Sequence, residues 1–188
     1  MVVKGFKTRC ENISLQLRKE LGIRKYSPLP ARDLAEHLNV LLFEPSDIQG
    51  LSNNTLAVLT KRGNTVWSAV AISYAGVEVV IYNSVHTKAR QSSDIMHELS
   101  HLLLAHEPSQ MMVSPEHPFV LRSYNKEREE EASWLAGCLL LPRDALIHIR
   151  TNGLSDDEGC GSYVVSRQLL TYRMNVTGVN RQFKTVGS

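Results

Sequence analysis

The chain has 188 residues, 43% hydrophobic and 21% charged, with a formal net charge of +2. That length and mix suit one globular domain with a real core, and the charge is too slight to predict nucleic-acid binding by itself. Three scattered cysteines (Cys10, Cys138, Cys160) with no C-x-x-C pair argue against a cysteine zinc cluster and a disulfide framework. With no signal-peptide run and no stretch near the roughly 20 apolar residues of a membrane span, the expected location is the cytoplasm.

In chain order, "ENISLQLRKELG" at 11–22 predicts an amphipathic helix that stops at Gly22. "ARDLAEHLN" predicts a second, short helix with Pro30 at its start, and "VLLFEP" a short strand. Residues 55–83 are rich in β-branched and aromatic side chains, with turn signals at Gly63-Asn64 and Gly76. They read as two to four antiparallel strands. Helices follow at 93–106, capped by Ser92, Ser93 or Asp94, and at 126–141, ended by Pro142. A loop rich in Pro, Ser and His lies between them. "NGLSDDEGCGS" at 152–162 reads as loop, and the tail as one more helix with a basic end. Helices, then a small sheet, then helices again make an α+β chain.

The chemistry concentrates in "MHELSHLLLAHE" at 96–107. His97 and His101 are four apart, so a helix presents both on one face, with Cβ atoms about 5–6 Å apart. Two neutral imidazoles at that spacing can share Zn²⁺. Glu98 holds the position that, in H-E-x-x-H proteases, takes the proton of the attacking water. A zinc site needs a third protein ligand. The extended H-E-x-x-H-x-x-G-x-x-H pattern fails, because Leu104 and Glu107 stand at its glycine and last histidine. On a continuous helix His106 sits about 140° from His101 and reads as a bystander. His117 reads as a surface loop residue.

"EREEEASWLAGCLLLP" at 127–142 supplies the better third ligand. Its apolar seam runs through Ala132, Leu135, Ala136 and Leu139. At about 100° per residue Glu129 falls about 60° from Ala132, Glu131 about 100° away on the other side, and Glu130 opposite. Glu129 is therefore preferred as the ligand over Glu131. Glu130 and Glu131 read as a solvated first turn favoured by the helix dipole.

These two motifs, in this order and spacing, resemble the ImmA/IrrE family of zinc metallopeptidases. There an H-E-x-x-H helix is followed by a helix of the form E-x-E-A-x-x-F-A-x-x-L-L-x-P. "LPARDLAEHLNVLLF" upstream and "YVVSRQLLTYRMNVTG" downstream extend the likeness over roughly residues 10–180. The resemblance implies a zincin-like α+β fold with a small antiparallel sheet on the active-site helices. It divides the chain into a peptidase domain at 1–150 and a helix-turn-helix-like extension at 151–188. It also implies zinc on His97, His101 and Glu129, with Glu98 as general base. Where related zincins carry Asp or Asn to orient a ligand histidine, this chain has Ser133, a weaker acceptor. Leu135 stands at the phenylalanine position of the motif.

The activity so implied is a zinc endopeptidase that cleaves or inactivates a helix-turn-helix repressor, derepressing mobile-element or stress genes. Tyr124, His117 and Tyr163 are the candidates for a second oxyanion donor. The alternative is a non-catalytic metal-containing module that binds a protein partner or DNA. DNA binding would use Arg167, Arg173, Arg181 and Lys184 of the tail, although a packed terminal helix with solvated basic residues is the preferred reading.

Overall fold

In the computed structural model the described residues are 4–63, 66–74, 76–106 and 125–184. The first helix, α1 (Phe6–Glu20), buries Phe6, Cys10, Ser14, Leu17 and Arg18, a stripe with helical spacing. It ends at Leu21, with Gly22 left-handed at φ 67° as its composition predicts. Helix α2 (Ala31–His37) follows Pro30 and buries Ala31, Leu34 and Ala35. Strand β1 (Leu41–Phe43) comes next.

Residues 55–59 differ from the sequence expectation of a strand: they lie in α3 (Asn53–Leu59). Ser52 Oγ accepts the Thr55 N–H at 3.1 Å, and this cap outweighs the weak β preference of the segment. Strands β2 (Ala69–Tyr74) and β3 (Val77–Tyr82) form the expected antiparallel hairpin around Gly76. The sheet is not wholly antiparallel, however. β1 pairs parallel with β3, Leu42 opposite Val80, so the order is β1-β3-β2. A parallel pair needs a long crossover, and here residues 44–76 supply it.

The helices that carry the H-E-x-x-H motif and Glu129 are α4 (Lys88–Leu103) and α5 (Lys126–Leu140). α4 starts five residues earlier than expected, at a Thr87 cap rather than at Ser92, Ser93 or Asp94. Pro142 ends α5 and opens α6 (Arg143–Thr151). The stretch expected to be loop at 152–162 contains α7 (Asp156–Tyr163). Ser155 and Glu158 form a reciprocal capping box there, and the acidic triplet lies in the first turn, where the dipole favours it. The tail holds two helices, α8 (Arg167–Val176) and α9 (Val179–Lys184).

One apolar core joins these elements. It runs from Phe6, Leu34 and Val80 through Leu99, Leu135 and Leu139 to Leu146, Leu170 and Val179. Among the described residues no helix is long and apolar enough to cross a membrane.

The last turn of α5 is held by polar groups from both ends of the chain. Ser14 Oγ donates to Cys138 O at 2.7 Å, and Arg18 Nη2 to Leu139 O at 2.7 Å. Arg173 Nε donates to Leu141 O at 3.0 Å. Helix C-termini leave carbonyls without intrahelical partners, and cations suit that end of the dipole. Both guanidinium groups are buried, and Arg173 is neutralised by Glu11. Burial pulls Arg18 down to about 10, which leaves it charged at neutral pH. Gly137 makes room for this packing: a Cβ there would lie 3.2 Å from Arg173 Cδ. Nearby, contact with Cys10 and burial hold the Cys138 thiol well above its ordinary range, so it offers neither a nucleophile nor a thiolate ligand.

Candidate metal centre

α4 is amphipathic, and its buried residues include Ile95, Leu99 and His101. Its neighbour α5 opens at Asn125, whose side chain accepts the N–H groups of Glu127 and Arg128 at 3.0 and 3.2 Å. Glu129 lies in that first turn, where a carboxylate gains from the helix dipole. The packing of α4 on α5 places Glu129 against the two histidines.

The three donors converge. His97 Nε2 is 3.0 Å from Glu129 Oε2 and 3.1 Å from His101 Nε2, and His101 Nε2 is 3.5 Å from Glu129 Oε1. Protons alone cannot satisfy this triangle. A neutral imidazole has at most one N–H at Nε2, so two facing Nε2 atoms and a carboxylate share too few protons for three bonds. A central cation satisfies all three. Donors bound tetrahedrally at 2.0–2.1 Å lie about 3.4 Å apart, close to the observed spacings. Among the described residues, this is the group of three His, Cys, Asp or Glu side chains whose donor atoms lie within 4.8 Å of one another. The residues therefore fit a metal ion.

Glu98 is 3% exposed, and its Oε2 accepts the N–H of Ala71 on β2 at 3.1 Å. The sheet thus fixes the carboxylate that follows His97. Ser133, one turn beyond Glu129, lies beside His97, with Oγ 3.4 Å from Nδ1. That is the contact its position predicts, at a length that makes it weak.

Two residues depart from their sequence reading. His106 is not a bystander: its Nδ1 lies 3.0 Å from His101 Nδ1. Glu131 is not simply solvated, because its Oε2 lies 3.2 Å from His106 Nε2. The helical projection failed for His106 because α4 has already ended. Leu104 is its C-cap, and Ala105 turns left-handed at φ 51°. The His106 N–H then bonds His101 O at 3.0 Å, bringing the ring back onto His101. Alanine at a position that favours glycine gave no warning of this turn. Of the oxyanion candidates, Tyr163 is committed elsewhere, its hydroxyl donating to Tyr26 O at 2.5 Å. Tyr124 and His117 lie outside the described residues, as does Glu107.

A cleft of about 720 Å³ opens beside the triad. His97, Glu129 and Ser133 line one part, and Trp134, Leu169 and Tyr172 another.

An H-E-x-x-H helix facing a glutamate-bearing helix, on a small mixed sheet, defines a domain of the metallopeptidase class. The sequence model of the IrrE N-terminal-like domain, a peptidase family, matches residues 35–175, and the chain belongs to that family. Comparison with curated proteins gives no significant match. Among solved structures the chain is similar in fold to a Mycobacterium tuberculosis transcriptional regulator, with a TM-score of 0.51 and 11% identity. That likeness covers 92% of this chain and 47% of the other, so the chain spans about half the regulator's length.

Proposed function

We propose that the protein is a zinc endopeptidase whose substrate is a helix-turn-helix repressor. The observation that carries the peptidase reading is the convergence of His97, His101 and Glu129 on one point, beside the buried Glu98. When bound there, zinc supplies Lewis acidity, polarising a scissile carbonyl and making water acidic enough to ionise at a pKa of about 7. His97 and His101 would hold the ion through Nε2, and Glu129 would add a negative charge from α5. Glu98, turned by its bond from Ala71, takes the proton of the attacking water and returns it to the leaving amine.

The repressor as substrate and a cytoplasmic site of action are part of this proposal, and membership of the IrrE-like family supports them. Two of the tail's basic residues support a protein substrate over DNA. Arg173 is buried against Glu11, and Arg167 pairs with Asp156 and Asp157, so neither is poised for phosphate. The test compares the zinc-loaded chain with Glu98→Gln on purified helix-turn-helix repressors. The variant should retain zinc and lose cleavage. Cleavage by the variant at the wild-type rate would sink the mechanism. If neither protein cuts, yet both hold a repressor off its operator, the non-catalytic module is the correct reading.

A further inference from the structure

The two ligand histidines have unequal outer support. His97 has the long contact to the Ser133 hydroxyl, whereas the other face of His101 meets a second imidazole backed by a carboxylate. The geometry points to His106 and Glu131 as positioning residues that set the tautomer and orientation of His101 for metal binding. The inference rests on the reading of His97, His101 and Glu129 as ligands.

The proton assignment follows from the chain of contacts. Glu131 is an acceptor when ionised, so the proton between it and His106 belongs on His106 Nε2. A neutral His106 then has a lone pair at Nδ1, and the 3.0 Å contact makes His101 Nδ1 the donor. His101 is left with its lone pair at Nε2, the atom that faces His97 and Glu129. The opposite assignment would put a proton on His101 Nε2, blocking the metal, and would set the Glu131 carboxylate against a bare nitrogen. Glu131 thus selects the useful tautomer two rings away. Metal-bound histidines commonly donate their second N–H to such a partner.

Burial and backbone geometry agree with this role. The His106 side chain is 9% exposed, against 25% for Glu131, so His106 is shielded while its carboxylate partner reaches solvent. The ring is carried back to His101 by the turn at Ala105, a non-glycine residue held left-handed. A side chain with a Cβ adopts that conformation at a cost, and such strain tends to gather at functional sites.

The test measures zinc affinity by chelator competition, and histidine tautomers by long-range proton–nitrogen NMR, without any peptide. In the zinc-free wild type, His101 should carry its proton on Nδ1 and His106 on Nε2. His106→Phe keeps a ring but removes the acceptor, and should weaken zinc binding about 10- to 100-fold. His106→Gln offers a carbonyl to the same N–H and should recover much of that loss, while Glu131→Ala should release the Nδ1–H preference of His101.

A wild-type His101 protonated on Nε2 would overturn the inference, and that reading depends on no variant folding. Zinc affinity of a folded His106→Phe within about threefold of wild type would overturn it too. A wild-type chain that binds no zinc removes the metal site and the positioning pair together. Zinc binding with the expected tautomers but no peptidase activity leaves the pair standing and removes only the proposed reaction.

Discussion

Replacing Glu129 with alanine removes the carboxylate whose two oxygens lie against both histidines, at 3.0 and 3.5 Å. Zinc held by four ligands in small domains binds with about 10–16 kcal/mol, or about 2.5–4 kcal/mol per ligand. Loss of one ligand should therefore weaken zinc binding roughly 100- to 1,000-fold. The consequence is measurable by thermal shift. At a free zinc concentration about 100 times the wild-type Kd, linkage stabilises the native protein by about 2.7 kcal/mol. For a chain of this length that raises Tm by about 5–11 °C. In Glu129→Ala the same zinc gives about 0.4 kcal/mol or less, a shift below about 2 °C. Without metal the variant should melt somewhat lower, since it loses the contact of Glu129 with His97 and a dipole interaction, so the readout is the zinc-induced shift within each protein. A full zinc-induced shift in Glu129→Ala, with its loss in Glu131→Ala, would refute the ligand assignment and make Glu131 the third ligand.

Glu11→Gln leaves the buried Arg173 without its counter-charge and should destabilise the fold by about 3–5 kcal/mol in urea unfolding. A change below about 1 kcal/mol would mean that another group neutralises Arg173. The Glu158 carboxyl is held below its ordinary value by the Ser155 hydroxyl and backbone N–H. Its folded pKa is lower than its unfolded pKa, so its stabilising effect is whole above about pH 4.5 and fades as pH falls through the folded value. Amide protection factors in α7 should fall over that acidic window, and Ser155→Ala should shrink the dependence to the part that the Ser155 backbone N–H carries.

The site was legible where its determinants are local. Spacing alone put His97 and His101 on one helical face, and the seam through Ala132, Leu135 and Leu139 turned Glu129 toward them. Pro142 marked the end of α5 correctly. Where local signals competed, the reading failed. The Thr and Val of "TLAVLT" suggested a strand, but the Ser52 cap nucleates α3. Gly159 and Gly161 suggested a loop, although the Ser155–Glu158 box was present in the sequence and sufficient to start α7. Parallel pairing of β1 with β3 leaves no local mark, because it is decided by packing of the crossover. His106 was misplaced for a different reason: a uniform 100° step presumes that the helix continues, and Ala105 breaks it.

The anchoring of the last turn of α5 bears on when the site can be completed. Arg173 and Glu11 are 162 positions apart, so their pair closes a very long loop. Such non-local contacts form after the local ones, and domains fold as their segments leave the ribosome. A nascent chain that has just released Glu129 already carries all three metal donors, while the far end of α5 and Arg173, one of the two guanidinium groups that hold it, are still to come. Full anchoring of the helix that bears the third donor therefore waits for α8. The order of synthesis itself separates possession of the metal-binding residues from possession of a firm metal site.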